Sequence, residues 1–368
     1  MHLRELNLIN FRNHSEAEMT FGRSVIVFTG NNGSGKTNLL DAIHYLSFCK
    51  SFLNPIDSQN IRSGEQFFVI QGKFRNEGQD EAIYCGIKKG QKKQFKRNGK
   101  EYEKLSDHIG RIPLVAVSPA DISIITEGSE ERRRFIDSVI SQYDKVYLNA
   151  LIACNKIVQQ RNAALRAGYA PEELLEVFDE QLVQHSQPVY DARVKFMKDF
   201  SEMVSNHYLA LSGEHETINL EYDSDLHSAS LDELLRSSRE KDRILQYTTK
   251  GIHKDDMSMK INNFPLRKYA SQGQQKTFLI ALKLAQFDML RDIKNMKPVL
   301  LLDDIFEKLD QSRITALMTL VSKHHFGQIF ITDSHPERIA EILRKIETAF
   351  DHFEVSESGV NQINMAEV

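Results

Sequence analysis

Residues 30–37 read GNNGSGKT, which matches the phosphate-binding loop pattern of glycine, four residues, glycine, lysine and threonine. The β-branched run from Val25 to Thr29 predicts a buried strand before this loop, and the apolar residues from Leu39 to Ile43 predict a helix after it. A strand, a loop and a helix in this order constrain the chain to an α/β fold that binds a nucleoside triphosphate.

The chemistry of the loop comes from its backbone, because its glycines let successive N–H groups converge on phosphate oxygens. We expect Lys36 to reach the β- and γ-phosphates as a point charge and the Thr37 hydroxyl to bind the Mg²⁺ that bridges them. The predicted nucleotide-binding residues are Gly30, Asn31, Asn32, Gly33, Ser34, Gly35, Lys36, Thr37 and Asn38.

Length and composition limit what surrounds this loop. A chain of 368 residues exceeds the size of a single core, so two or three lobes are expected. No apolar run reaches the 18 or more residues of a membrane span, and the amino terminus lacks the features of a signal peptide. The cysteines at 49, 85 and 154 have no metal-ligand spacing. We therefore expect a cytoplasmic protein without a membrane partner.

Although the net charge of the chain is −4, it contains one strongly basic segment, KKGQKKQFKRNGK at residues 88–100. Asn98-Gly99 predicts a tight hairpin turn within it, so the segment reads as a cationic β-ribbon. It is either an edge hairpin kept soluble by lysines or a surface that contacts DNA phosphates, and we favour the second. The candidate DNA-binding residues are Lys88, Lys89, Lys92, Lys93, Lys96, Arg97 and Lys100.

The middle of the chain has helical spacing of apolar residues. One helix is predicted from Ser129 to about Gly168, and a second from Leu174 to Val204, which Pro188 should break or kink. Residues 212–243 are polar and predict a return loop with one short helix near 231–235. The two helices would form an arm that projects from the nucleotide lobe.

A second chemical site follows the apolar run at 298–302, which predicts a buried strand that ends in Asp303 and Asp304. Strand ends are where α/β sheets place ligands. In phosphate-loop enzymes an aspartate here holds Mg²⁺, and an acidic residue after it can polarise the attacking water. We assign Asp303 to the metal and Asp304 to the water; a solvated loop is the alternative.

A third site precedes the apolar helix that starts near Thr277. Ser271 has the character of a helix N-cap, and a small polar turn at a helix start is an anion site. One chain has no need of two such sites for a single γ-phosphate, so we expect this turn to complete a site in a second subunit. The predicted residues are Ser271, Gln272, Gly273, Gln274 and Gln275.

The order of phosphate loop, helical insertion, SQGQQ turn and LLLDD strand resembles the ATP-binding-cassette (ABC) heads of the Rad50 and SMC group, and in particular the RecF family. Shorter segments carry the same resemblance, namely FRNH at 11–14, SPADI at 118–122, EERRRFID at 130–137, QQRN at 159–162 and GIHKDD at 251–256. The implied fold is an α/β, ABC-type phosphate-loop ATPase head at 1–128 and 244–368, with an inserted α-helical arm lobe at 129–243.

The resemblance also implies a function in DNA replication, recombinational repair and the SOS response to DNA damage. A protein of this kind forms an ATP-dependent homodimer on double-stranded DNA near single-strand gaps and single/double-strand junctions, works with RecR and helps to load RecA. It is a weak, DNA-stimulated ATPase whose slow hydrolysis releases the dimer. The implied residues are Arg12 at the phosphates, Thr37 and Asp303 at Mg²⁺, Asp304 as the catalytic carboxylate, Ser271 and Gly273 at the γ-phosphate of the opposite subunit, and Asp310 in the dimer-facing loop.

Several positions leave alternatives open. Arg12 could equally be a solvated strand end, and His335 is either a surface residue or a replacement for the switch histidine of transporter heads. His253, Asp255 and Asp256 have metal-ligand chemistry, but a loop near the dimer face is preferred. Ile252 stands where the family usually has proline, and Glu307-Lys308 where it usually has serine and glutamate. A structural DNA-bridging head of the SMC type and a transporter ATPase are the alternative functions.

Overall fold

The computed structural model describes residues 1–76, 78–168, 171–212, 216–305 and 327–363. The chain divides into two compact units, and unit 2, Asp121–Ala285, is inserted into unit 1, which comprises Met1–Ala120 and Gln286–Val368. Unit 2 thus extends beyond the arm boundaries at 129 and 243 and includes the SQGQQ turn. Whether 129–243 is a separate lobe stays a prediction.

The elements have the following bounds. The strands are β1 (His2–Phe11), β2 (His14–Thr20), β3 (Val25–Thr29), β4 (Phe67–Asn76), β5 (Gln79–Lys88), β6 (Gln94–Arg97), β7 (Lys100–Glu101), β8 (Leu114–Val117), β9 (Ile218–Asp223), β10 (Asp256–Ile261), β11 (Phe264–Pro265), β12 (Val299–Leu302), β13 (Ile329–Asp333), β14 (Phe350–Ser356) and β15 (Gly359–Ile363). The α-helices are α1 (Lys36–Phe48), α2 (Ser123–Thr126), α3 (Ser129–Ile140), α4 (Lys145–Arg166), α5 (Glu172–Ser212), α6 (Leu231–Leu245), α7 (Leu266–Tyr269), α8 (Gln272–Lys294) and α9 (Pro336–Lys345). None of the described helices is long and apolar enough to cross a membrane.

Unit 1 contains a mainly parallel sheet of order β15-β14-β3-β13-β12-β8. Strands β14, β3, β13, β12 and β8 run parallel, and β15 pairs antiparallel at one edge. Every residue of β3 and β12 is buried, because a parallel sheet is covered on both faces and its strands are apolar throughout. The strands predicted from Val25 and from the run before Asp303 are therefore confirmed.

The second sheet of unit 1 is antiparallel, with the order β2-β1-β4-β5-β6-β7. Helix α1 packs against strands of both sheets, and their apolar side chains form one core that includes Leu8 of β1, Phe28 of β3, Leu40 of α1 and Ile70 of β4. Ten of the thirteen residues of α1 are buried as a result. The phosphate-binding loop is thus attached to a helix that is held on two sides.

In unit 2, α4 and α5 lie antiparallel and contact each other through polar side chains at heptad spacing. Tyr147, Cys154 and Arg161 of α4 bond to residues 193, 186 and 179 of α5, respectively. The contact residues of α4 are seven positions apart, and their partners on α5 are seven positions apart in the reverse direction, which is about two turns of each helix. The predicted antiparallel pair of helices is confirmed.

Three details of the helical prediction were wrong. The first helix is divided into α3 and α4, because the Asp144 side chain accepts a hydrogen bond from the Tyr147 N–H and starts a new helix. Pro188 does not break α5, a helix of 41 residues that continues around it because packing offsets the one lost backbone bond; a kink at Pro188 stays a prediction. Residues 212–243 were predicted as a loop with one short helix, but they include strand β9 and most of the 15-residue helix α6, which ends at Leu245.

Two fully buried arginines hold unit 2 together. Arg161 pairs with Asp179 at 2.9 Å and with Asp242 at 2.7 Å, and Arg193 pairs with Asp137 at 2.8 Å and with Asp255 at 3.0 Å. Breaking such a pair leaves a buried charge without its counterion, which costs about 3–5 kcal/mol. The QQRN, EERRRFID and GIHKDD segments therefore have structural roles here.

The two carboxylates of the GIHKDD segment are both paired with arginines. Asp255 is bound by Arg193, and Asp256 forms an ion pair with Arg132 at 2.6 Å. The His253 ring bonds to the Thr248 carbonyl at 2.9 Å. Within the described part of the chain, no group of three or more His, Cys, Asp or Glu side chains could hold a metal ion. These residues link the segment to its own unit.

Burial lowers the pKa of His253 to about 4 from its ordinary value of 6.5, so the fold favours the neutral ring. Its contribution to stability is complete above pH 6.5 and decreases as the pH falls towards 4. The free energy of unfolding should fall between pH 7 and pH 5, and we expect His253→Gln to make this fall smaller by about 2 kcal/mol. Urea unfolding at both pH values measures this, with the exposed His227→Gln as control. An unchanged pH dependence in the His253 variant would contradict the prediction.

Candidate nucleotide-binding site

The phosphate-binding loop requires glycine at two positions for steric reasons. At Gly30, φ is 150°, and a Cβ would lie 2.1 Å from the Val355 carbonyl oxygen of β14. At Gly35, φ is 108°, and a Cβ would meet the Asn13 side chain at 2.4 Å. The contact at Gly30 is with backbone and cannot be relieved by a side-chain movement, and the positive φ at both positions strains any residue that has a Cβ, so the loop follows this path with glycine.

A cavity of about 350 Å³ opens above the loop at the carboxyl edge of the parallel sheet. It is lined by Asn32, Gly33, Gly35, Lys36, Thr37, Asn38, Pro119 and Asp304. The start of α1 faces this cavity, and the first N–H groups of a helix, together with its dipole, attract anions. The structure therefore brings most of the predicted loop residues and Asp304 to one concave site.

The Lys36 ammonium lies within the loop rather than in solvent. Its Nζ donates to the carbonyl oxygens of Gly30 at 2.8 Å and Asn31 at 3.1 Å, and the residue is only 4% exposed. These two bonds hold the charge within the loop, at the wall of the cavity. An anion in the cavity would therefore meet a cation that is already oriented.

Thr37 and Asp303 meet across the carboxyl edge of the sheet, since the Thr37 Oγ1 donates to the Asp303 Oδ1 at 2.8 Å. The same carboxylate oxygen accepts from the Thr332 Oγ1 at 2.8 Å, and the Asp304 N–H donates to that hydroxyl at 2.9 Å. Thr332 at the end of β13 thus connects both aspartates. Asp304 has φ at 43°, a left-handed conformation rare for residues with a side chain, and these bonds hold it there.

These donors fit the groups that a phosphate-loop protein holds. A hydroxyl and a carboxylate 2.8 Å apart are hard oxygen ligands, which Mg²⁺ prefers. The glycine-lined cavity and the oriented Lys36 fit a triphosphate.

Two residues of the FRNH segment form hydrogen bonds to the backbone of the phosphate-binding loop. Asn13 and His14 follow the end of β1; the Asn13 Nδ2 donates to the Ser34 carbonyl at 2.8 Å, and the His14 Nε2 bonds to the Gly35 carbonyl at 3.1 Å. Burial lowers the pKa of His14, so its ring is held neutral. Sequence reasoning assigned no role to these two residues.

Arg12, predicted to reach phosphate, is held by α1. Its Nε donates to the Asp41 Oδ2 at 3.0 Å, and its Nη2 donates to the Ser51 Oγ at 3.0 Å. Asp41 is fully buried, and burial raises the pKa of its carboxyl against the opposing effect of Arg12. Arg12 is therefore an ion-pair partner of α1, and a contact with phosphate stays a prediction.

The SQGQQ turn lies in unit 2 at the start of α8, where Ser271 is the N-cap. Its Oγ accepts from the Gln274 N–H at 3.2 Å, and its own N–H donates to the Gln274 Oε1 at 2.6 Å. This reciprocal pair is a capping box, so the predicted N-cap is confirmed. Gln272 is exposed at the first helical position, next to Gly273.

The basic segment forms the end of β5, the turn after it, and strands β6 and β7. Asn98 and Gly99 have φ values of 49° and 79°, which confirms the predicted hairpin turn. Lys93 forms an ion pair with Asp57 at 2.8 Å, and Arg97 is bound by Glu81. The remaining candidates are Lys96, which is half-buried, and the exposed Lys88, Lys89, Lys92 and Lys100.

His335 is a further candidate, and it lies just after β13. The His335 side chain is 66% exposed, and its Nδ1 lies 3.0 Å from the Ser334 Oγ. Its backbone N–H donates to Asp333 at the start of α9, so the structure places it as a surface residue at a helix terminus. Asp310 and the Glu307-Lys308 pair lie outside the described residues.

Thr332 is the functional candidate that sequence reasoning missed. The one available signal was its place at the end of an apolar strand, the position that also singled out Asp303. A threonine there also suits a β-strand by propensity, so the residue type gave no reason to select it.

A family model described as RecF/RecN/SMC N terminal domain matches residues 2–356. A protein of Phocaeicola vulgatus named DNA replication and repair protein RecF is 49% identical over 365 residues, with 98% of each chain covered. A protein of Flavobacterium johnsoniae with the same name is 47% identical, with 96% of this chain and 99% of the relative covered.

Solved structures give the same result. One described as the recombination mediator protein RecF with ATP, in the RecFOR pathway, superimposes with a TM-score of 0.89 at 30% identity and covers 98% of this chain and 97% of its own. An SMC head bound to the C-winged helix domain of ScpA has a TM-score of 0.58 at 14% identity, a likeness of fold alone. The expected ABC-type α/β head of the Rad50 and SMC kind is confirmed, and the chain belongs to the RecF family of SMC-like ATPases.

Proposed function

We propose that the chain is an ATP-dependent DNA-binding protein of recombinational repair and replication restart, which dimerises with ATP on DNA at single-strand gaps. The connected set of Thr37, Asp303, Thr332 and Asp304 beside the phosphate-binding loop supports this most strongly. The ATP-bound RecF structure that resembles the chain supports ATP as the nucleotide. The expected weak stimulation of hydrolysis by DNA belongs to the same proposal.

Each residue at the cavity has its own role in ATP hydrolysis. Lys36 and the loop N–H groups neutralise and orient the phosphates, and Thr37 and Asp303 would hold Mg²⁺, which supplies charge stabilisation to the transferred phosphoryl group. Asp304 orients the attacking water and accepts its proton. Thr332 keeps Asp304 in its left-handed conformation, so the carboxylate stays at the cavity.

The SQGQQ turn is the part of the site that we assign to the opposite subunit. Ser271 and Gly273 stand at the start of α8, a second helix N-terminus whose dipole attracts an anion. We propose that ATP joins two chains by placing its γ-phosphate between the loop of one and the turn of the other. Hydrolysis then removes the shared ligand and releases the dimer.

The partners follow from the same proposal. The basic ribbon would contact double-stranded DNA and single/double-strand junctions through phosphates, with RecR as the protein partner and RecA loading as the outcome. The description of the ATP-bound relative as a recombination mediator in the RecFOR pathway supports this. We also propose a cytoplasmic location and roles in DNA replication and the SOS response.

We expect Lys36→Ala to abolish ATP-dependent dimerisation, because the loop loses its only built-in cation at the phosphates. Gradient sedimentation with and without ATP measures this, in the presence and absence of duplex DNA. Lys50→Ala, at an exposed lysine just beyond α1, is the matched control and should sediment like the wild type. A Lys36 variant that still dimerised with ATP would exclude the loop from the dimer mechanism.

We expect Asp304→Asn to bind ATP and to accumulate dimers on DNA, while kcat falls by about 10²–10⁴-fold because the amide cannot accept the proton of water. Phosphate release under single-turnover conditions and sedimentation on DNA measure the two effects. Hydrolysis at the wild-type rate would show that Asp304 is not the catalytic carboxylate.

The basic ribbon gives a quantitative prediction for DNA binding. If the four exposed lysines and Lys96 contact phosphates, the logarithm of duplex affinity should fall against the logarithm of salt concentration with a slope of about −4.5. Replacing the four exposed lysines by alanine should reduce the slope to about −1. These are Lys88, Lys89, Lys92 and Lys100.

The control replaces four exposed lysines on helices of unit 2 and makes the same change in net charge. These are Lys156, Lys195, Lys198 and Lys241. Both variants are titrated with duplex DNA and ATP over a range of salt concentrations. Equal slopes in the two variants would show that the ribbon is only a soluble sheet edge.

A further inference from the structure

The capping box at the SQGQQ turn is held by a third residue, Glu216, which precedes β9. The Gln274 Nε2 donates to the Glu216 Oε1, and the Tyr208 hydroxyl of α5 donates to the Glu216 Oε2. The Tyr208 ring also packs against Phe278, one turn further along α8, with ring centroids 6.4 Å apart. Both carboxylate oxygens of Glu216 therefore have a donor, one on α5 and one at the cap of α8.

The chemistry of an amide shows why this carboxylate matters. The Gln274 side chain has one accepting end and one donating end, and Ser271 needs the accepting end for its backbone N–H. A carboxylate can only accept, so Glu216 receives the donating end and turns the oxygen of Gln274 towards Ser271. Glu216 thus selects one of two amide orientations that are otherwise similar in shape.

The selected orientation sets the chemistry that the turn offers to a ligand. The Ser271 oxygen already accepts from the Gln274 N–H at 3.2 Å, so its hydroxyl acts as a donor towards a phosphate oxygen. With the amide reversed, two donors would face each other at the Ser271 N–H, and the cap would lose one of its two bonds. The position of the Ser271 hydroxyl therefore depends on Glu216.

We propose that Glu216 is a positioning residue for the SQGQQ turn: supported by Tyr208, it fixes the Gln274 amide and holds Ser271 in place for a γ-phosphate presented by a second copy of the chain. This inference rests on the proposed function for the ligand, and on the observed contacts for the orientation. Glu216 touches no phosphate itself, so its removal weakens dimerisation without weakening ATP binding by the phosphate-binding loop.

The test uses Glu216→Gln in the full chain. The new amide has one accepting oxygen in place of two, so Tyr208 and Gln274 compete for it and the orientation of Gln274 is no longer fixed. We expect the ATP-dependent dimer to form at about tenfold higher protein concentration, with the Kd of the monomer for ATP unchanged. Glu221→Gln is the matched control, since this carboxylate on the neighbouring strand bonds to Lys260 and Asn219 instead. An unchanged dimerisation midpoint in Glu216→Gln would overturn the inference.

A compensating variant separates positioning from a general loss of structure. In Glu216→Gln/Gln274→Glu, the donor and acceptor are exchanged, and a glutamate at the third helical position completes a standard capping box with Ser271. We expect this double variant to recover most of the tenfold loss, whereas Gln274→Glu alone, with two facing carboxylates, should not. A double variant no better than either single variant would contradict the orientation argument.

Hydrogen exchange without nucleotide distinguishes this inference from the proposed function. The amides of Ser271 and Gln274 should exchange faster in Glu216→Gln than in the wild type or in Glu221→Gln. If the wild type failed to dimerise with ATP, the proposed function would fall, while the exchange data would still decide whether Glu216 holds the cap. Equal exchange in all three proteins would refute the role of Glu216 directly.

Discussion

The burial of α1 between two sheets is the constraint on which the rest of unit 1 depends. Its apolar side chains join the parallel and antiparallel sheets into one core, and a buried leucine, isoleucine or phenylalanine contributes about 1.5–3 kcal/mol. The helix therefore cannot shift without disturbing both sheets. Since its first turn carries Lys36 and Thr37, the same packing that stabilises the fold also fixes the position of the nucleotide site.

The edge of the parallel sheet then assembles the remaining chemistry. Strands β3, β12 and β13 end side by side, so the phosphate-binding loop, the two aspartates and Thr332 meet although they are far apart in sequence. Polar side chains at this edge are joined in one hydrogen-bonded series from Thr37 to the Asp304 N–H. A chain of bonds of this kind rigidifies a site before any ligand arrives, which lowers the cost of binding.

Unit 2 depends on a different kind of interaction. The helices α4 and α5 meet through the bonds from Arg161 to Asp179 and from Arg193 to Tyr147, which lie at heptad spacing and fix the register of the pair more strictly than apolar contacts alone. At one end of α5, hydrogen bonds from Tyr208 to Glu216 and from Gln274 to Glu216 connect α5 to the cap of α8. The turn that we assign to the second subunit is therefore positioned by side chains of its own unit.

The sequence by itself determined the local features that depend only on consecutive residues. The phosphate-binding loop with its strand and helix, the strand before Asp303, the cap at Ser271 and the turn at Asn98-Gly99 could all be read in this way, because glycines, caps and apolar runs act over a few residues. Only the tertiary structure decided which distant side chains meet: that Thr332 joins the two aspartates, that Asn13 and His14 brace the loop, that Lys93 and Arg97 are already paired, and that Pro188 stays within a helix. Pairing and burial between remote segments depend on how whole elements pack, and no short stretch of sequence contains that information.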